Sequence, residues 1–494
     1  MTGIIIIVLV VLGISLAAYY FWLRSSSEKD PAPSESQLPD PDSTREPDDF
    51  YYRDQTRTPR ENHPISRREI SENALKVLHR LNTNGYEAYL VGGCIRDLYL
   101  GLHPKDFDVA TNATPEQVRR LFRNSRIIGR RFKLVHILFG REMIEVATFR
   151  ASHDEARNDN HSRDKSDHSD SGRILRDNVY GSIKDDAIRR DFTVNALYYD
   201  VRDYSVIDYC GGVQDLENNT LKLIGDPVKR YHEDPVRMMR ALRFVAKLDF
   251  DMDPATADPI YDLGHLLSDI PSARLFDEVL KLLQSGKGVR TFHLMREFSL
   301  LQYLFPATHH SLEAQDELAE ALIIRALEST DSRITRGKPV TPAFLFAAFL
   351  WAPLQRLAGD LRDQGVPPTP ALQQAAMVVL DNQCAHTAIP KRFTMVVRDI
   401  WEMQYRLERR QPKAIETLME HPKFRAAYDF LVLREAAGEE LNDAGQWWTD
   451  IQDSSDQDRS SMIHDLRSHP DGKGGQKRRR RRPRKRPPVL NKPK

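Results

Sequence analysis

Cysteine is scarce in this sequence of 494 residues. The three cysteines, Cys94, Cys210 and Cys384, lie far apart and are odd in number. Such a set supplies neither a disulfide framework nor the ligands of a structural zinc site. The cysteine content therefore favours a reducing compartment.

Long apolar runs are also absent, except at the amino terminus. Residues 4–23 read IIIIVLVVLGISLAAYYFWL without a charge, a length that spans about 30 Å as a helix. Tyr19, Tyr20 and Trp22 lie at its end and Arg24 follows, as at a membrane interface. Residues 1–24 are therefore predicted to be an inner-membrane anchor that leaves the rest of the chain on the cytoplasmic side. A cleaved signal peptide and an over-extended start codon are the alternatives.

Two terminal segments of opposite charge lie behind the net charge of +1. Residues 25–50 contain eight acidic residues and are rich in Pro and Ser, so residues 25–65 are predicted to be a disordered linker. Residues 473–494 contain twelve Lys and Arg and no acidic residue, and residues 451–494 are predicted to be a disordered basic tail. Such a tail binds polyanions through counterion release.

The chain between these segments predicts an α+β fold. Residues 66–222 alternate short β-prone and helical stretches in a mixed order, which indicates a small mixed-sheet head. Residues 223–290 and 291–450 have helical periodicity throughout. They are predicted to form an all-helical neck followed by an all-helical body and carboxyl-terminal region.

A pair of aspartates is the first candidate for chemistry. In the stretch HPKDFDVATNAT, Asp106 and Asp108 are separated by Phe107, so in a strand the two carboxylates share one face and Phe107 points to the other. Carboxylates on one face repel each other unless a hard cation such as Mg²⁺ lies between them. A solvated edge strand is the alternative for the pair taken alone.

A glycine pair precedes the aspartates. In LVGGCIRD, Gly92 and Gly93 lie between a predicted strand and a predicted helix, where backbone amides can approach an anion closely. Arg96 lies in the first turn of that helix and could bind phosphate oxygens through its guanidinium. A tight strand–helix turn explains two glycines equally well.

Two further motifs carry arginines beside acids. RRDFTVNAL contains Arg190 and Asp191, for which a triphosphate-binding role and a surface ion pair are both open. HEDPVRMMRALRF begins a helix after Pro235, and arginines recur in it at every third position. A cationic stripe of this kind, formed by Arg237, Arg240 and Arg243, can bind a polyanion or a base edge.

Taken in order, LVGGCIRDLYLGLHPKDFDVAT, RRDFTVNAL, EDPVRMMRALRF and PSARLFDE resemble the class II nucleotidyltransferases, which include bacterial poly(A) polymerases and CCA-adding enzymes. The resemblance runs from about residue 66 to about residue 448. IIGRRFKLVHILFG, TPAFLFAAFLWAPL and the Arg-rich tail are similar to the poly(A) polymerase branch. The resemblance implies a template-independent polymerase that adds AMP from ATP to RNA 3′ ends, releases pyrophosphate by two-metal catalysis and promotes RNA turnover.

The resemblance also implies roles for single residues. Asp106 and Asp108 match the catalytic, metal-binding pair, and Asp191 matches a third catalytic acid. Glu145 is a further carboxylate that could face the metals. The positions that match nucleotide-binding residues are Gly92, Gly93, Arg96, Arg190, Glu233, Asp234, Arg237 and Arg240. The tail residues expected to bind RNA are Arg478, Arg479, Arg480, Arg481, Arg482, Arg484, Lys485 and Arg486.

Cofactors and partners follow from the same resemblance. Two Mg²⁺ ions are the expected cofactors, ATP is the expected substrate, and RNA 3′ ends and the RNA-degradation machinery are the expected partners of a monomeric protein. A CCA-adding tRNA nucleotidyltransferase and a catalytically silent RNA-binding adaptor remain as alternatives. The intact carboxylate pair speaks against the adaptor, because a lapsed site has no reason to retain repulsive charges.

Overall fold

The computed structural model describes residues 55–129, 133–151 and 180–468. The predicted anchor, the acidic segment of the linker and the basic tail residues 478–486 lie outside these ranges. Within the ranges, no helix is long and apolar enough to cross a membrane.

An eight-stranded mixed sheet is the framework of the head in the described residues. Its spatial order is β1-β8-β7-β2-β3-β6-β5-β4, and β3 and β6 are parallel while the other neighbours are antiparallel. A short parallel pair, β9 with β10, lies apart from it. The strands are β1 (Thr56–Thr58), β2 (Ala88–Val91), β3 (Asp108–Thr111), β4 (Ser125–Ile128), β5 (Leu134–Phe139), β6 (Glu142–Thr148), β7 (Leu197–Tyr199), β8 (Val206–Asp208), β9 (Thr220–Leu221) and β10 (Asp251–Met252).

Helices make up most of the rest of the described chain, and those of the head lie between its strands in the sequence. Those of the head are α1 (Glu72–Thr83), α2 (Gly93–Tyr99), α3 (Pro115–Leu121), α4 (Ile183–Ile188) and α5 (Gly212–Glu217). The next are α6 (Pro227–Glu233), α7 (Val236–Leu248), α8 (Pro254–Leu263), α9 (Ser272–Leu283) and α10 (Gly288–Glu297). The remainder are α11 (Leu301–Leu304), α12 (Pro306–Glu313), α13 (Glu317–Thr335), α14 (Pro342–Phe349), α15 (Trp351–Asp363), α16 (Pro368–His386), α17 (Lys391–Arg409), α18 (Ile415–Met419), α19 (Phe424–Ala436), α20 (Ala444–Asp453) and α21 (Asp456–Ser468). The predicted α+β class is confirmed.

The central strands present two different faces. Leu90, Val109 and Tyr199 pack in the large core that also includes the apolar side of α1. Val91 and Ala110 belong to a smaller core on the other face. Because side chains alternate along a strand, residues two positions apart share a face.

The predicted linker over residues 25–65 was wrong at its carboxyl end. Thr56–Thr58 forms the edge strand β1 against β8, and Ile65 is fully buried. A strand of three polar residues has no periodicity from which it could be recognised, and its backbone pairing with β8 holds it in place. The sheet therefore begins before residue 66, the predicted start of the head.

The predicted disordered tail over residues 451–494 was also wrong at its beginning. Asp456–Ser468 forms the helix α21, and Ile463 of this helix is buried in the small carboxyl-terminal core. The segment is mostly polar, so its few apolar side chains produce only a weak helical pattern, and packing against that core decides its conformation.

Candidate active site

The two aspartates lie at the start of β3. Phe107 is 8% exposed and packs in the large core, whereas Asp106 is exposed and Asp108 is partly buried. The register pairs Asp108 with Val91 of β2 on one side and Glu145 of β6 on the other. Phe107 is therefore buried between two more exposed aspartates, and Glu145 is the cross-strand neighbour of Asp108.

The surroundings of Asp108 make this carboxyl group costly to ionise. Burial, followed by the nearby charges of Glu145 and Asp106, raises the pKa of Asp108 to about 6, although Arg190 opposes the shift. On its other side, Glu145 Oε2 lies 3.2 Å from Nε2 of His136. A carboxyl group in this setting is stabilised as the anion by a cation placed beside it.

The donor chemistry of this cluster fits a hard divalent cation. Asp106 and Asp108 offer the oxygen ligands that Mg²⁺ prefers, and neither forms an ion pair with a residue of the described ranges. In the described ranges, no group of three or more His, Cys, Asp or Glu side chains is arranged as a metal cage. Mg²⁺ usually binds through one or two carboxylates and takes its other ligands from water and substrate phosphates.

The glycine turn joins β2 to α2. Gly92 has φ +78° and ψ −133° and stands immediately before the helix, a conformation that a residue with a Cβ rarely adopts. A Cβ at Gly92 would lie 3.5 Å from Nη1 of Arg190, and one at Gly93 would meet only the Arg96 guanidinium at 3.5 Å. The backbone geometry thus demands glycine at position 92, whereas Gly93 is not needed for packing.

Arg96 is held inside the head. Its side chain is 3% exposed. Nη1 donates to Asn195 Oδ1 at 2.6 Å, and Nε donates to Asp97 Oδ1 at 2.8 Å. The guanidinium also lies 5.1 Å from the ring centre of Phe244 on α7. All three nitrogens have protein partners, so the structure does not present Arg96 as an open fork for phosphate.

Arg190 is fixed beside the glycine turn by a buried acid. Its Nη2 donates to Asp186 Oδ2 at 2.9 Å, and its Nε donates to the Tyr198 hydroxyl at 3.1 Å. Burial would raise the pKa of Asp186, but Arg190, Arg189 and Tyr198 hold it well below its usual range. Because Nε and Nη2 are engaged, Nη1 is the guanidinium nitrogen directed at Gly92.

Asp191 is the partner of Arg240. Its Oδ2 accepts hydrogen bonds from Nε and Nη2 of Arg240, and its Oδ1 accepts from the Phe192 amide at 2.8 Å and from Asn195 Nδ2 at 3.1 Å. Burial would raise the pKa of Asp191, but these contacts lower it. Asp191, predicted to be a third catalytic acid, therefore forms an ion pair that joins the head to α7.

The acids before Pro235 each have an arginine partner. Glu233 Oε2 accepts from Arg237 Nη1 at 2.8 Å and from Arg230 Nη1 at 2.9 Å. Asp234 Oδ2 accepts from Nη2 of Arg274 at 2.8 Å. Glu233, Asp234 and Arg237 form the motif EDxxR. Their charged side chains are therefore held in fixed orientations at the junction of α6 and α7.

Four residues of this network were missed by sequence reasoning. Asp186 orients Arg190, and Asn195 orients Arg96. Arg230 orients Glu233, and Arg274 orients Asp234. A signal existed for two of them. Asp186 stands four positions before Arg190 on a helical stretch, and Arg274 lies within the quoted motif PSARLFDE.

Three family models match the chain. The model described as poly A polymerase head domain matches residues 88–222. The probable RNA and SrmB-binding site of polymerase A matches residues 249–312, and the polymerase A arginine-rich C-terminus matches residues 364–486.

Curated relatives cover most of the chain. Poly(A) polymerase I of Salmonella typhimurium is 53% identical over 434 residues, which are 87% of this chain and 92% of the relative. Poly(A) polymerase I of Haemophilus influenzae is 50% identical over 423 residues, 85% of this chain and 93% of the relative. A CCA-adding enzyme of Lactobacillus helveticus is 39% identical over 209 residues, 42% of this chain and 49% of that protein.

Solved structures share the fold. The Bacillus stearothermophilus CCA-adding enzyme in complex with CTP has a TM-score of 0.51 at 24% identity, and the match covers 80% of this chain and 82% of that one. At this identity the likeness concerns the fold alone.

Proposed function

The chain belongs to the bacterial poly(A) polymerase I family, and on this premise we propose that it adds AMP from ATP to RNA 3′ ends without a template. The 3′-hydroxyl oxygen of the RNA forms a bond to the α-phosphorus of ATP and releases its proton to solvent. The bond from that phosphorus to the bridging oxygen breaks, and pyrophosphate leaves. The observation that carries the proposal is the Asp106–Asp108–Glu145 cluster beside Arg190 and the glycine turn.

Asp106 and Asp108 are proposed to hold two Mg²⁺ ions, with Glu145 as a supporting carboxylate. Bound Mg²⁺ activates an attacking hydroxyl and neutralises charge on the leaving pyrophosphate. The aspartates position the metal, and β2 and β6 hold Asp108 rigidly between them. Such positioning supplies much of the catalysis in phosphoryl transfer.

The triphosphate is proposed to lie between the glycine turn and Arg190. Gly93 leaves room for close approach of an anion, and Nη1 of Arg190 points to the same turn. Arg96 and Asp191 are proposed to act as positioning residues rather than as ligands, since protein partners occupy their polar atoms.

The base is proposed to be read by the EDxxR set. Asp234 offers a carboxylate held by Arg274, and Arg237 is held by Glu233. A carboxylate can accept a hydrogen bond from an exocyclic amino group and a guanidinium can donate to a ring nitrogen. Protein side chains of fixed orientation thus replace a template strand.

RNA is proposed to be bound outside the head as well. The family model named for an RNA and SrmB-binding site matches residues 249–312, which contain α8–α11 and nearly all of α12. The basic residues 478–486, outside the described ranges, are proposed to add electrostatic affinity. A role in RNA turnover, a monomeric state and a membrane-tethered cytoplasmic location remain predictions.

The test compares nucleotides and acceptors. Purified protein with Mg²⁺ receives either ATP alone or CTP alone, with an RNA primer or with tRNA that lacks its terminus. Long A tracts from ATP alone support the proposal. Addition that stops after CCA would indicate a tRNA nucleotidyltransferase, and no magnesium-dependent pyrophosphate release would indicate a silent adaptor.

A further inference from the structure

A basic groove lies on the head at the level of α1. Its walls come from the segment that precedes α1, from α1 itself and from the turn after β7, and its cavity measures about 1040 Å³. The cationic side chains that line it are Arg60, Arg67, Arg68 and Lys76, and Glu72 is the one carboxylate among its lining residues. The groove therefore carries a net positive charge.

This groove lies on the face of the sheet opposite to the aspartates. Its floor residue Tyr199 packs with Leu90 and Val109 on the α1 side. Asp108 lies two positions before Ala110 on β3 and therefore shares its face of the sheet. Ala110 packs in the core of the face opposite to α1. The groove and the active site are thus separate surfaces of one head.

The cations in the groove are available to a ligand. Arg67, Arg68 and Lys76 are exposed, and neither Arg67 nor Arg68 has a side-chain hydrogen bond or ion pair within the described part of the chain. Lys76 Nζ donates to Asn73 Oδ1 at 3.3 Å and lies 4.0 Å from Glu72 Oε2, so its one acidic neighbour is at the limit of an ion pair. Positive charges without acidic partners attract polyanions.

The aromatic residues of the groove provide a second, independent observation. Tyr199 is fully buried, yet its hydroxyl finds no hydrogen-bond partner among the described residues. Tyr204, at the rim, exposes 36% of its surface. Unpaired buried polar groups are rare in folded proteins and mark places where a ligand or water completes the structure.

We propose that this groove binds the phosphodiester backbone of single-stranded RNA upstream of the 3′ end that enters the active site. A cationic groove with an exposed aromatic ring is the surface that single strands use, the backbone following the charge and a base stacking on the ring. The inference rests on the proposed polymerase function, because that function makes RNA the natural polyanion. A second RNA contact on the opposite face would keep a long primer attached between additions.

The test uses the full chain and a charge-matched control. The groove variant is Arg67→Gln/Arg68→Gln/Lys76→Gln. The control Arg119→Gln/Arg120→Gln/Arg123→Gln removes three exposed cations on and after α3 of the same head. Binding of oligoadenylates of about 8 and about 40 nucleotides is measured against salt, without ATP or Mg²⁺.

The expected result is specific to the long RNA. The groove variant should lose about tenfold in affinity for the long oligonucleotide, and the slope of log affinity against log salt should fall by about 2, since each phosphate contact on a single strand contributes about 0.7. The short oligonucleotide and the control should behave like the wild type. An unchanged long-RNA affinity, an equal loss in the control, or an equal loss on the short oligonucleotide would each overturn the proposal.

Two further measurements separate this inference from folding and from catalysis. Tyr204→Ala removes the exposed ring without changing the charge and should also weaken long-RNA binding. If the triple variant does not fold, the affinities of Tyr204→Ala and of Arg68→Gln for the long oligonucleotide test the proposal in its place. AMP addition to the short primer should be unchanged in all groove variants. Unchanged long-RNA binding in the groove variants, with normal AMP addition, would refute the groove alone, whereas absent AMP addition in the wild type would refute the proposed function.

Discussion

Replacing Asp108 with asparagine is expected to stabilise the metal-free protein at neutral pH while it abolishes AMP transfer. The pKa of Asp108 is raised from its ordinary value of 3.8 to about 6 by burial, Glu145 and Asp106. The folded protein therefore holds this proton more tightly than the unfolded chain does. Stability from this group is fully present below pH 3.8 and is lost as the pH rises through about 6.

The structure sets the size of the effect. A pKa difference of this size corresponds to about 3 kcal/mol of unfolding free energy at about 1.36 kcal/mol per pH unit. Asparagine is nearly isosteric with aspartate and does not ionise, so the folded variant avoids the free-energy cost of a charge at position 108. The variant should therefore gain up to about 3 kcal/mol near pH 7.5, roughly half of that near pH 5, and nothing below the ordinary pKa of the group.

Calorimetry in EDTA measures this gain as a rise in Tm of several degrees. Asp262→Asn, at an exposed position of α8, is the control for loss of one negative charge and should change stability by less than about 0.5 kcal/mol. The AMP incorporation rate of Asp108→Asn should fall by about 10³-fold or more. A variant no more stable than the wild type near pH 7.5, or a gain that does not shrink toward pH 5, would refute the electrostatic reasoning.

Three other predictions concern the orientation of Asp234, the Asp191–Arg240 ion pair and the basic tail. Arg274→Ala removes the partner of Asp234, so the KM for ATP should rise about tenfold, about 1.4 kcal/mol, and discrimination against CTP should fall. The control is Arg325→Ala, which removes an exposed arginine on α13. An unchanged ratio of ATP to CTP incorporation would contradict the role of Arg274. Asp191→Asn and Arg240→Gln, which disrupt one ion pair, should each lower Tm and show a coupling energy of about 1–3 kcal/mol in a double-mutant cycle, whereas additive losses would mean that the pair does not act as a unit. Deletion of residues 473–494 should weaken RNA binding and reduce its salt dependence while it spares the rate on saturating primer; an unchanged salt slope would argue against an RNA-binding tail.

The aspartate pair shows what local sequence can predict. Strand alternation alone predicts Asp106 and Asp108 on one face and Phe107 in the core, and the structure buries Phe107 while both aspartates are more exposed. From the sequence, Glu145 is a carboxylate that could face the metals, but its place directly beside Asp108 follows only from the parallel pairing of β3 with β6. Parallel pairing joins strands that are distant in sequence, so no local pattern reveals it.

The arginines of α7 show where prediction from the sequence ends. Their spacing predicts a cationic stripe, but it does not specify the partner of each side chain. Arg237 is bound to Glu233 within the same motif, whereas Arg240 is bound to Asp191, which lies 49 positions away. Long-range ion pairs depend on how the neck packs against the head, so the pairing of Asp191 with Arg240 could not be predicted from the sequence.

The central claim is that Asp106 and Asp108 support metal-dependent AMP transfer to RNA. The most direct measurement is extension of an RNA primer with ATP over a range of Mg²⁺ concentrations by purified wild type, Asp106→Ala and Asp108→Ala, with the fold of each variant checked by circular dichroism. We expect the wild type to extend the primer only with Mg²⁺ and both folded variants to add no AMP at any concentration. Normal extension by either variant would contradict the account.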